Sequence, residues 1–179
     1  MKFKRLEKNI AKECAYIAVF VALTIAVQVT LAVLPSVEAV TLLFFAYAFV
    51  FGVKRSVIAG LAFAFIRQLV FGFFPSVLIL YIVYYPLLAV VVGRIGRGGT
   101  PLAKFPFAVV CAVLLTATFT FLDDIITPLY YGFGWGQTKA YFYASLPLMT
   151  TQMINAGVTV AVGFLPLCRA FGIIKRNLS

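Results

Sequence analysis

The basic residues of this chain sit on one side of a stack of apolar runs, and that asymmetry constrains the fold more than any motif does. Lys2, Lys4, Arg5, Lys8 and Lys12 open the chain, and Arg169, Lys175 and Arg176 close it. Lys54 with Arg55, and Arg94, Arg97 and Lys104, fill alternate connections between the apolar runs. Lys139 lies in a connection of the opposite set, and Arg67 lies inside an apolar run. Helices that cross a membrane keep lysine and arginine on the cytoplasmic side. The cationic face is therefore expected to be cytoplasmic, with both termini there. Glu38, Asp123 and Asp124 then face outward, while Glu7 and Glu13 stay with the N-terminal bases.

The chain is 64% hydrophobic and 11% charged, against an apolar share of about 45–50% in soluble domains. A single all-α integral membrane domain over residues 1–179 is expected, built of six transmembrane helices at about 15–34, 39–51, 56–71, 77–92, 105–122 and 141–167. The first run is too long for the apolar core of a signal peptide, about 7–15 residues, and is read as a retained helix. The second is short for a span and needs burial among its neighbours to cross. Pro35 ends the first run, residues 72–75 make an outer turn, and Pro86 is placed to kink the fourth helix. The longest outer connection, 123–139, mixes glycine with Tyr130, Tyr131 and Trp135 and reads as a binding lid or interfacial cap. A five-span arrangement would leave either Lys54 with Arg55, or the C-terminal bases, on the wrong side. The net charge of +10, gathered at the borders of apolar runs, points to anionic lipid headgroups and not to nucleic acid.

Chemistry is narrowed by what is missing. The chain has no histidine, which removes imidazole as general base, pH switch or metal ligand. Cys14, Cys111 and Cys168 make no disulfide framework. Residues 93–100 imitate the glycine spacing of a phosphate loop, but Gly99 stands where its lysine belongs. No catalytic residues, no metal site and no cofactor are expected, so the chain reads as a non-enzyme. Active transport would have to draw its energy from a partner or an ion gradient.

The remaining polar residues leave pairs of readings open. Arg67 near the outer end of the third helix costs about 2.5–3.5 kcal/mol to insert. It either faces an outward cavity and binds an anionic or carbonyl group of a ligand, or snorkels to water or pairs with Glu38 or Asp123. Asp123 and Asp124 at a helix C-terminus would oppose the helix dipole, which asks for another reason for at least one of them. Gln152 and Asn155 share a face of the sixth helix; Asn155, the deeper, suits a bridge between helices, and Gln152 suits a ligand. Tyr81, Tyr84 and Trp135 serve either an interfacial belt or a site. Ala18, Ala22 and Ala26 form a small-residue strip on the first helix, suited to packing inside the protein or to docking a partner. Ser56, Gly60 and Ala64 repeat it on the third and read as an internal seam.

Taken in order along the chain, these segments resemble a known group. Residues 35–43 followed by Phe51-Gly52-Val53-Lys54-Arg55, the alanine strip, Asp123-Asp124-Ile125-Ile126-Thr127-Pro128 and Phe142-Tyr143-Ala144-Ser145-Leu146-Pro147 are similar to the substrate-binding S components of energy-coupling factor (ECF) vitamin transporters. The resemblance covers nearly the whole chain. It implies a multi-pass protein of a bacterial plasma membrane that captures a vitamin or related small heterocycle from outside. It also implies partners: a transmembrane coupling subunit and two ATPase subunits that drive release inside. The site it implies contains Glu38, Arg67, Tyr81, Tyr84, Asp124, Trp135, Gln152 and Asn155, with docking through Ala18, Ala22 and Ala26. The nickel and cobalt branch relies on histidine near the N-terminus and does not fit. A rival reading is a six-span scaffold of the cell-shape type that carries no ligand.

Overall fold

The computed structural model describes the backbone of residues 2–31 and 39–178 and the side chains of residues 11–31 and 39–176. Six helices account for nearly all of it: α1 (Lys2–Leu31), α2 (Ala39–Phe51), α3 (Val53–Phe71), α4 (Pro75–Ile95), α5 (Phe105–Tyr131) and α6 (Trp135–Leu178). Among the described residues there is no strand. Four segments are long and apolar enough to cross a membrane: Ala11–Leu31, Pro75–Ile95, Phe105–Tyr131 and Trp135–Arg176. They fit an integral membrane protein. So does the surface, where Val19, Leu69, Leu129, Ile154 and Val162 are each more than 60% exposed.

Helix ends depart from the expected spans in a consistent way. α2 matches its expected bounds, but α1 begins at Lys2, α3 at Val53 and α4 ends at Ile95. Hydropathy marks where lipid would lie, whereas a helix continues until a glycine or a missing hydrogen-bond partner stops it. The expected lid over 123–139 is corrected for this reason. α5 runs through Asp123, Asp124 and Pro128 to Tyr131 and stops at Gly132, whose φ of 67° is the left-handed conformation glycine tolerates. α6 resumes at Trp135, so the connection is a short turn, residues 132–134, and not a lid. Pro86, Pro147 and Pro166 all lie within their helices.

α2 is the centre of the bundle and touches all five other helices. Its residues Leu43 through Phe49 are all buried, which lets a helix of only 13 residues persist. In an apolar surrounding such packing is dispersion between close surfaces. Phe20 stacks on Tyr47 at 3.9 Å between ring centroids, and Phe44 meets Phe63 at 5.2 Å and Tyr85 at 4.4 Å. The Ser56, Gly60 and Ala64 strip is buried, as a seam requires. A Cβ built on Gly60 would lie 2.7 Å from Tyr85 Cβ.

The two ends of the bundle differ chemically. At one, called the lower end here, Arg55 pairs with Glu13 at 2.6 Å, the Lys175 ammonium donates to the Val50 carbonyl at 2.6 Å, and Lys104 donates to the carbonyls of Ile95 and Arg97. The other, upper end holds the α3–α4 and α5–α6 turns. Cys111 and Cys168 are buried free thiols and Cys14 an exposed one.

Candidate functional site

Polar side chains collect in the upper half of the bundle. Arg67 lies one turn before the end of α3, half-buried, with its guanidinium carbon 4.9 Å from the Phe71 ring centre and 5.0 Å from that of Tyr81. Each such contact is worth about 0.5–2 kcal/mol, which offsets part of the cost of placing the charge there. Arg67 Nε and Nη1 are nevertheless buried without a hydrogen-bond partner. Asp123, one of the two anions proposed as its counter-charge, accepts instead from Thr127 at 2.8 Å and from the Tyr141 hydroxyl at 2.8 Å. Glu38, the other, lies outside the described residues, and no position is assigned to it.

The neighbouring Gln68 is 5% exposed. Its Oε1 accepts from the Phe74 N–H at 2.9 Å, which ties the α3–α4 turn, while its Nε2 is buried without a partner. Tyr81 carries the site toward α5: its ring lies 5.9 Å from Phe119, and Tyr84 meets the same Phe119 edge-on at 4.9 Å. Tyr81 and Tyr84 are 7% and 2% exposed. An interfacial belt needs exposed rings, so that reading fails for these two. It suits Tyr130, Tyr131 and Tyr143, which are exposed.

α5 contributes a polar stripe. Thr116, Thr120 and Asp124 recur every fourth residue and are all buried, so they share one face of an otherwise apolar helix. Threonines in apolar helices usually donate to the carbonyl four residues back, as Thr118 does to Leu114 at 2.8 Å. Thr120 instead donates to Gln152 Oε1 on α6 at 3.0 Å, and Thr116 Oγ1 has no partner. Asp124 accepts from the Ser145 hydroxyl at 2.7 Å through Oδ2, while Oδ1 is buried and unpartnered. On α1, Gln28 Oε1 is likewise buried without a partner.

These contacts revise several expectations. Asp123 and Asp124 are not at a helix terminus; they stand inside α5, where their bonds to Tyr141 and Ser145 fasten it to α6. Gln152 bridges helices, the role expected of Asn155. Asn155 is half-buried, one turn below Gln152. Trp135 is 75% exposed and its ring lies 4.9 Å from the Lys139 ammonium, so it stands apart from the buried polar group. Ala18, Ala22 and Ala26 are all exposed, whereas Phe20, Val21, Thr24 and Ile25 are buried on another face of α1. Packing inside the protein therefore does not account for the alanine strip. Gln28, Gln68, Thr116 and Thr120 are not among the expected site residues; the fourfold spacing of Thr116, Thr120 and Asp124 is the signal the sequence offers for the α5 stripe.

Removing a latch should loosen the α5–α6 pair measurably. Tyr141→Phe deletes one hydrogen bond to a carboxylate and is expected to cost about 1.5–3 kcal/mol, read as a lower melting temperature in detergent. An unchanged melting temperature would show that Asp123 holds no structural bond there.

What arrangement results is an aromatic middle, Tyr81 and Phe119, with guanidinium and amide donors on one flank and carboxylate and amide acceptors on the other. Buried polar atoms in folded proteins are almost always hydrogen-bonded, which sets these atoms apart from the rest of the bundle. Among the described residues no cluster of three or more histidine, cysteine, aspartate or glutamate side chains could hold a metal. No protein-family profile, curated protein or solved structure matches the chain.

Proposed function

We propose that this chain is the substrate-binding S component of an energy-coupling factor importer in a bacterial plasma membrane. All six helices cross, both termini are cytoplasmic, and the upper end faces outward. There it captures a vitamin or related heterocyclic metabolite, and a transmembrane coupling subunit with two ATPases then drives its release inside. The protein itself performs no catalytic step. The observation that carries this reading is the set of buried, unpartnered hydrogen-bonding atoms on Arg67, Gln68, Thr116, Asp124 and Gln28, with Arg67 lying over the buried ring of Tyr81. Small-molecule sites combine an apolar lining with a few fixed polar groups in this way. A scaffold with no ligand gives no reason to bury donors and acceptors unmatched, each at about 1–3 kcal/mol.

Further support comes from the surface of α1 and from the charge of the lower end. The exposed alanine strip offers a smooth surface on which another helix can approach closely. The lower-end cations Lys54, Arg55, Arg94, Arg97, Lys104, Arg169, Lys175 and Arg176 fit the cytoplasmic side by the charge rule.

The test is native mass spectrometry of the purified protein, joined to thermal-shift screening against vitamins and nucleobase analogues. A bound mass of a few hundred daltons is expected, lost in Arg67→Ala. Trp135→Ala, at an exposed ring, is expected to change affinity less than about threefold, under 1 kcal/mol. No adduct and no stabilisation by any compound would favour the scaffold reading.

A further inference from the structure

Two chemically opposite flanks meet at the candidate site. On the α3 flank every buried atom without a partner is a donor: Arg67 Nε and Nη1 and Gln68 Nε2. Neither the Gln68 amide oxygen nor the Asp123 carboxylate serves them. Gln68 Oε1 holds the Phe74 N–H at 2.9 Å, and both oxygens of Asp123 hold hydroxyls. On the α5 flank the atom without a partner on the most buried carboxylate, Asp124 Oδ1, is an acceptor. Tyr81 joins the flanks, with the Arg67 guanidinium over one ring contact and Phe119 of α5 on another.

Charge gives the flanks unequal weight. A guanidinium stays protonated under all ordinary conditions, and its ring contacts supply no hydrogen-bond acceptor. An anionic oxygen group answers both needs of Arg67 at once. A cationic group on the α3 flank would instead meet a like charge close to Tyr81, which costs several kcal/mol in a desolvated place.

Resting on the capture function proposed above, we infer that the ligand is a small organic anion. Its carboxylate or phosphate is held by Arg67 and Gln68, its ring lies against Tyr81 and Phe119, and an N–H or O–H at its far side donates to Asp124 Oδ1. Cationic vitamins and neutral analogues of the same ring are excluded or bound weakly.

Matched probe pairs read this directly in the full-length protein: orotate against uracil, biotin against its methyl ester, and 4-aminobenzoate against its methyl ester, with nicotinate against nicotinamide as a pair lacking a ring donor. Isothermal calorimetry and thermal shift are recorded for wild type, Arg67→Gln and Asp124→Asn. At least one acid with a ring donor is expected to bind, at least about tenfold tighter than its neutral partner. Arg67→Gln is expected to reduce that preference to less than about threefold while leaving the melting temperature of the empty protein near wild type. Arg67→Lys, which keeps the charge, is expected to restore part of the preference. Neutral members binding as well as acids, or a preference that survives in Arg67→Gln, would overturn the inference and leave capture standing. Binding by no member of any pair, with no adduct in the native mass spectrum, would count against capture and take the inference with it.

Discussion

Ala22→Trp is expected to abolish uptake while leaving ligand binding and thermal stability unchanged. Ala22 is the middle member of the exposed strip Ala18, Ala22 and Ala26, so an indole there meets no atom of the bundle that holds α1. It does stand in the way of any helix that approaches the strip. Close approach of helices in lipid depends on small side chains, because van der Waals contact replaces the missing hydrophobic drive. A bulky ring lifts the partner off and forfeits those contacts along several turns. A loss of uptake of about tenfold or more follows from as little as 1.4 kcal/mol of docking energy. Reconstituted vesicles containing the coupling subunit and its ATPases give the transport rate, and calorimetry on the isolated chain gives affinity. Normal uptake by Ala22→Trp would remove this face from the docking scheme.

Gly60→Val should damage the fold itself. The Cβ it introduces would sit 2.7 Å from Tyr85 Cβ, an atom close to the backbone of α4 that cannot rotate aside. Either α3 and α4 separate or Tyr85 moves, and Tyr85 packs against Phe44, Phe63, Tyr81 and Tyr84. Overpacking costs about 1–3 kcal/mol in ordinary cores, and a backbone-adjacent clash belongs at or above the top of that range. Gly172→Val provides the comparison, since nothing lies within 4 Å of a Cβ there. Fluorescence-detected gel filtration after mild heating should show Gly60→Val aggregating well below Gly172→Val. Equal behaviour of the two would mean that the α3–α4 seam is not closely packed in the membrane.

How much of this was legible in the sequence differs by kind of feature. The apolar run 39–51 matches α2 because Gly52, with a φ of 81°, ends it where the polar residues begin. The outer connection 123–139 was misread because aromatic and glycine residues resemble a loop by composition. The chain there needs only Gly132 to break the helix, and Pro128 is carried inside it. The rotational position of α1 was undetermined because alanine suits a packed face and an exposed one equally. The buried face, Phe20, Val21, Thr24 and Ile25, decides it only once α2 and α3 are in place. Arg67, Tyr81, Tyr84 and Asp124 were identifiable as costly or unusual residues in apolar runs. Thr116 and Gln68 were not, since a threonine in a helix ordinarily satisfies itself and a glutamine at a helix end ordinarily meets water. That Thr116 Oγ1 and Gln68 Nε2 are buried without partners arises from tertiary packing.

α6 is a helix of 44 residues, a contour of about 66 Å at 1.5 Å per residue with Pro147 and Pro166 inside it, and it is bound to the rest of the fold at both ends of its buried stretch. Ser145 and Tyr141 fix it above through the paired aspartates, and the Lys175 ammonium fixes it below on the Val50 carbonyl. The chain has a mass of 19.6 kDa, little of which would project from a detergent micelle to guide particle alignment in electron cryomicroscopy. Because α6 stays helical through Leu178, a rigid domain joined in register to that end would inherit its orientation. The C-terminal turns of α6 would then serve as a handle for imaging, without any insertion into the turns that frame the upper end.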